Sequence, residues 1–165
     1  MNRKRNVVWF NEVDKDDIGV VGGTGANLGE MMNAGFPIPF GFIITSHAYF
    51  YLIDHNNLHK EINNYVSLIN FENTNELNDG AAAIRRLIEN ADIPADLLRE
   101  IHCYYHNLAR NEAKFMRKGN VKEIMKHLSS VYVSPLVAVR SSATAEDLPG
   151  ASFAGQQETF LNVQG

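Results

Sequence analysis

Cysteine is nearly absent. Cys103 is the single one in 165 residues, so neither an internal disulfide framework nor a cysteine-rich zinc site can be built. It sits in an apolar-periodic stretch near Ile101 and Tyr104, a poor setting for a nucleophile. Basic excess is absent too: 15 Lys and Arg stand against 19 Asp and Glu, a formal net charge of -4. That balance supplies no general pull toward nucleic acid or an anionic membrane, and neither is expected as a partner. No apolar run reaches the length of a membrane span, and no signal-peptide core follows the locally basic residues 2–5. A cytoplasmic protein is therefore expected. Internal repeats and low-complexity tracts are also missing. What remains, 45% hydrophobic and 21% charged residues, is the composition of one ordinary globular domain over residues 1–165.

Val7, Val8, Trp9 and Phe10 read as a first strand, with a polar turn at residues 14–17. A glycine cluster follows, Gly22, Gly23, Gly25 and Gly29. Leu28, Met31 and Met32, at i, i+3, i+4 spacing, predict one face of a short helix stopped by Gly35 and Pro37, so the glycines fall at a helix start. Residues 41–44 read as a second buried strand, with Thr45 or Ser46 capping a helix that carries Tyr49, Leu52 and Ile53 on one side. From residue 57 to about 127 the pattern is helical. Leu77, Ala81, Ile84 and Ile88 form one stripe; Leu97, Leu98, Ile101, Tyr104, Tyr105 and Leu108 form another, with Pro94 in its first turn. The Asn-rich residues 63–78 and the polar residues 117–120 read as connections. Residues 136–139 predict a buried strand and residues 158–163 a strand with one buried face. The fold class is α+β, a helical middle between mixed strands at both ends.

Chemistry concentrates at residues 136–165. A strand ending in Arg140 must send its guanidinium to an anion, to solvent, or to an ion pair with Glu146, Asp147 or Glu158, because a buried unpaired cation is strongly disfavoured. Ser141, Ser142 and Thr144 serve either as phosphate donors or in local turn hydrogen bonds. Residues 152–157, small apart from Phe153, suit either a flap over a polyphosphate or a plain hairpin loop. The glycine cluster is neither a P-loop nor the dinucleotide fingerprint: no Gly-Lys-Ser/Thr ends it, and Leu28 stands where a third glycine is needed. It is either an anion cradle at a helix start or a tight turn packing a helix on a strand. His102 and His106 have the spacing of a metal pair but no carboxylate between them as in the protease motif, and read as helix surface.

Three segments together carry a resemblance: residues 22–30, residues 37–42, and residues 139–147 followed by 152–163. In order and spacing they closely resemble the phosphoenolpyruvate synthases, over nearly the whole chain and most specifically in its last segment. Pyruvate phosphate dikinases differ in carrying a methionine-containing loop after the arginine. Rifampin phosphotransferases share most of the motif, but residues 8–11 and 162–165 lean toward the synthases.

The resemblance implies the first subdomain of an ATP-grasp-like nucleotide-binding domain. ATP would lie between two subdomains and pass its β-phosphoryl group to a histidine on a swivelling domain, which then phosphorylates pyruvate. It implies ATP and Mg2+ as cofactors, with the metal ligands outside this chain, and the remaining domains of a parent enzyme as partners. Carried over, Arg140 binds ATP phosphates and stabilises charge in transfer. Gly22, Gly23, Thr24, Gly25 and Ser141 belong to the phosphate-binding set, and Gly155, Gln156 and Thr159 to a phosphate-covering loop. Thr24 departs from the family's usual lysine and supplies no charge. With the second subdomain and the histidine and pyruvate domains lying elsewhere, the chain is expected to be inactive alone. The alternatives are a truncated nucleotide- or partner-binding remnant and a fragment of a rifampin phosphotransferase.

Overall fold

The computed structural model describes residues 5–115, 135–144 and 158–164, with side chains through Leu108 in the first stretch. Its first unit is a short antiparallel sheet between two helices. Strand β1 (Val7–Trp9) pairs with β2 (Phe42–Ile44), with Val8 opposite Ile43 and Trp9 opposite Phe42. Successive residues of a strand point to opposite faces, and both faces are used. Val8 and Ile43 pack with Val13, Val21 and Ala26 in one apolar cluster. On the other side Trp9 stacks on Tyr104, with ring centroids 4.5 Å apart, and Phe42 lies 5.7 Å from the same ring.

Helix α1 (Ile18–Asn33) supplies the first cover. Two 3-10 turns, Phe10–Glu12 and Lys15–Asp17, lead into it. Its end follows from Gly35, whose φ of 84° suits a left-handed cap. The Gly35 amide bonds to Met32 O and the Phe36 amide to Met31 O, both at 3.0 Å, the paired bonds of a Schellman motif. The buried face differs from the expected apolar stripe. Gly25, Ala26, Gly29 and Met32 are buried while Met31 is exposed, because small residues let the helix axis come close to the sheet and the 3-10 turns.

Helices α2 (Ser46–His55), α3 (His59–Leu68), α4 (Thr74–Glu89) and α5 (Ala95–Phe115) make the middle of the chain helical as expected up to Phe115, while residues 116–127, with the connection expected at residues 117–120, lie outside the described residues. Thr45 occupies the N-cap position of α2, yet its side chain makes no cap bond. The buried hydroxyl donates to Arg5 O at 2.8 Å and ties the helix start back to the chain before β1. Ala48 and Ile53, not Tyr49, carry the buried face of α2. The Asn-rich stretch is mostly helix, not connection. Asn73 accepts from the amides of Asn75 and Glu76 and starts α4, so asparagine acts there as a cap. Pro94 stands just before α5, where its carbonyl accepts from the Leu98 amide at 2.9 Å.

Strands β3 (Val137–Arg140) and β4 (Thr159–Val163) form a second antiparallel pair, with Arg140 opposite Thr159. The register shifts between Val137 and Val139, and Asn162 adopts a φ of 57°, a left-handed conformation that asparagine tolerates. The mixed strands expected at the two ends are thus two antiparallel pairs. Neither β3 nor β4 has the buried face its apolar pattern predicts: Val139 is 48% exposed, Phe160 56% and Leu161 69%. Among the described residues no helix covers this pair as α1 and α5 cover the first. No helix is long and apolar enough to cross a membrane among the described residues.

Candidate functional site

The candidate site lies where the glycine cluster meets the loop after β3. Helix α1 is not continuous: Gly22, at φ 73° and ψ 168°, breaks it after Val21, and a new helical run begins at Gly23. This backbone region is essentially open to glycine alone. The break leaves backbone groups without helical partners, and the distant loop takes them up. Ser142 Oγ donates to Val21 O at 2.7 Å and accepts from the Gly25 amide at 2.9 Å. The Gly23 amide donates to Ala143 O at 3.1 Å. A serine hydroxyl offers one donor and two acceptor positions, so a single side chain bridges both sides of the break.

The fit is close. A Cβ on Gly22 would lie 2.4 Å from both the carbonyl oxygen and the hydroxyl of Ser142. One on Gly25 would come within 3.1 Å of Ile43 and 3.4 Å of Ser142 Oγ. Thr24, half-buried, lies between the two glycines whose amides bond the loop.

Arg140 is the last residue of β3 and is exposed. Among the described residues it makes no ion pair with Glu158, and Glu146 and Asp147 lie outside the described residues. Ser141 is fixed by its own partner. Its amide donates to Glu158 O at 3.1 Å, and the Glu158 amide donates to Ser141 Oγ at 3.1 Å. Thr159, next in sequence, faces Arg140 across the ladder. Gly155, Gln156 and the expected flap lie outside the described residues. The structure therefore brings Gly22, Gly23 and Gly25 against Ser142 and Ala143, and sets Ser141 and Thr159 beside Arg140.

An exposed guanidinium at a strand end, with hydroxyls close by in sequence, suits phosphate, because its planar fork can make paired bonds to phosphate oxygens. The acidic ligands of a Mg2+ ion are a different matter: no group of three or more His, Cys, Asp or Glu residues that could hold a metal occurs among the described residues. His102 and His106 meet edge to face, with ring centroids 6.4 Å apart on α5. Cys103 is exposed on the same helix, contrary to its apolar surroundings in the sequence, and Asn107 Nδ2 lies 3.5 Å from its sulfur. Arg5 and Glu12 form an ion pair away from this seam: the guanidinium donates to the Glu12 carboxylate, and this hydrogen bond, aided by one to the Tyr104 hydroxyl, raises its pKa above the ordinary value.

Residues 18–165 match the family described as pyruvate phosphate dikinase, AMP/ATP-binding domain. The chain belongs to this family. It is 43% identical over 162 residues to a probable phosphoenolpyruvate synthase of Staphylothermus marinus, covering 98% of this chain and 18% of that protein. The phosphoenolpyruvate synthase of Aquifex aeolicus is 40% identical over 166 residues, covering 98% of this chain and 17% of the relative. For the phosphoenolpyruvate synthase of Pyrococcus furiosus the identity is 37% over 193 residues, with 98% and 21% covered. The chain thus spans about a fifth of the length of the curated relatives it matches. The family's AMP/ATP-binding description agrees with the nucleotide chemistry expected from the sequence.

The residue types around Ser142 suit a phosphate donor or a local turn bond. Its hydroxyl bonds are not local: its partners lie 117 and 121 residues away along the chain. Nothing in a single sequence pairs a serine with a glycine at that separation. The available signal was the glycine itself, which a backbone outside the helical region requires.

Proposed function

We propose that this chain is one wall of an ATP-grasp-like cleft in a phosphoenolpyruvate synthase. The parent reaction converts ATP, pyruvate and water to AMP, phosphoenolpyruvate and phosphate, with a histidine of another domain carrying the phosphoryl group between them. Arg140 binds the ATP phosphates and opposes the negative charge that builds during transfer, and Ser141, Thr159 and Thr24 are neutral donors near it. Gly155 and Gln156 belong to the covering loop. The acidic Mg2+ ligands and the adenine pocket come from polypeptide outside this chain, which is inactive by itself.

The observation that carries this reading is the meeting of the glycine cluster with the loop that follows Arg140. Residues 22–25 and 140–143, at opposite ends of the sequence, are joined by the Ser142 and Ala143 hydrogen bonds inside a match to an AMP/ATP-binding family. Calorimetry of the chain with ATP and Mg2+ tests it. Weak binding is expected from half a cleft, and Arg140→Ala should lower the affinity about tenfold, the loss of one charge-assisted hydrogen bond. Equal affinity in the variant would remove Arg140 from the site.

A second reading, a nucleotide-binding remnant without catalysis, has Thr24 in its favour, since a hydroxyl cannot neutralise phosphate. Thr24→Lys should strengthen ATP binding. If the affinity stays the same, position 24 lies outside the site and this second reading loses its support.

A further inference from the structure

We infer that Ser142 is the positioning residue of this site, and that the glycine cluster serves as its socket instead of as a phosphate cradle. The inference rests on the ATP-binding reading above and gives that site its internal division of labour. Gly23 and Gly25 have the amides that a cradle would aim at an anion. Both are already occupied, by Ala143 O at 3.1 Å and by Ser142 Oγ at 2.9 Å. The Ser142 hydroxyl proton is committed as well, to Val21 O at 2.7 Å.

Three groups at the helix break, Val21 O and the Gly23 and Gly25 amides, therefore have partners from the loop, and burial favours keeping them, because an unmatched buried polar group is costly. Gly22 makes the arrangement possible twice over. Its φ of 73° opens the helix, and its missing Cβ leaves room for Ser142, which would otherwise stand 2.4 Å away. Ser142 follows Arg140 by only two residues, so anchoring its side chain on α1 fixes the end of β3 and the origin of the guanidinium. Phosphate binding is then left to Arg140 and its neighbouring hydroxyls, while Gly22, Gly23 and Gly25 set where Arg140 starts.

Amide hydrogen exchange followed by NMR on the 165-residue chain tests this, first without ligand. In the wild type the Gly25 amide should be protected, and Ser142→Ala should accelerate its exchange roughly fivefold, the equivalent of one lost neutral hydrogen bond. Gly22→Ala should do the same, and combining the two changes should add little, because both break one contact. Unprotected Gly25 in the wild type would overturn the latch without recourse to any variant, as would additive effects of the two substitutions.

Titration with ATP and Mg2+ gives the second arm. The socket reading expects the Arg140 side-chain resonance to move while the Gly23 and Gly25 amides keep their ligand-free shifts and protection, with Ser142→Ala weakening ATP binding. Large shifts at the two glycine amides on adding ATP would show that they cradle phosphate after all, and would sink the inference. Absence of any ATP response in the wild type would count against the ATP reading, while the ligand-free exchange still decides the latch.

Discussion

Among the described residues two small antiparallel sheets of similar apolar character have opposite fates. In the first, Val7 and Val8 are fully buried, since α1 covers one face and the Tyr104 ring of α5 packs on the other. In the second, Val139, Phe160 and Leu161 stay about half to two-thirds exposed. A two-stranded ribbon is marginal by itself. Apolar residues in a strand therefore do not define a core; a covering element does. The exposed pair is held to the covered one by polar contacts between the loop after Arg140 and the broken start of α1. Stability and candidate chemistry are consequently divided, with the first in the covered sheet and the second at the seam.

That contrast is broken most directly by truncating one apolar residue on each side of it. Met32, only 2% exposed, lies on the buried face of α1. Met32→Ala should cost about 2–5 kcal/mol, the transfer and cavity terms of a buried methionine. Leu161→Ala, at a residue 69% exposed, should stay within about 0.5 kcal/mol. Urea unfolding of the two variants measures both. Comparable losses would mean that the second sheet shares the core.

A smaller effect sharpens the reason why α1 can cover the sheet at all. A Cβ at Gly29 would stand 2.5 Å from Val13 O and 2.9 Å from Phe10 O, backbone atoms that cannot rotate away, whereas a Cβ at Gly19 would meet nothing within 4 Å. Gly29→Ala should therefore destabilise by about 1–3 kcal/mol through overpacking. Gly19→Ala should instead gain up to about 1 kcal/mol from helix propensity. Thermal unfolding should separate the two by sign.

Local signals made much of this legible in the sequence. The two end strands of the first sheet, the helix stop at Gly35, the helical middle and Arg140 at a strand end all follow from turn residues or periodicity. Burial of β3 and β4 was misread, because periodicity reports which face could be covered and not whether anything covers it. The Asn-rich stretch was misread for a related reason: Asn73 is a cap, and caps and loops favour the same residue types. At the candidate site, the residue types pointed to phosphate chemistry and the AMP/ATP-binding family match agrees. The Ser142 contacts could not be read, since they are set by the closure of the whole chain.

The smallest expected effect concerns how the second cover of the first sheet is fastened. Tyr51 on α2 donates to both carboxylate oxygens of Asp96 in the first turn of α5, at 3.0 Å. This hydrogen bond is the main reason that the Asp96 carboxyl titrates below its ordinary value. A carboxyl whose pKa is lowered by folding adds stability above its unfolded pKa and loses it as pH falls through the folded value. Tyr51→Phe should therefore raise the Asp96 pKa toward that of a free aspartate and flatten the acid side of the stability profile, through a loss of stability at neutral pH that is small because the pair is exposed and that vanishes as pH falls through the folded value. An NMR titration of the Asp96 carboxyl in both proteins reads this directly. An unchanged titration would mean that α5 stays on the sheet through Trp9, Phe42 and Tyr104, without help from its N-terminal end.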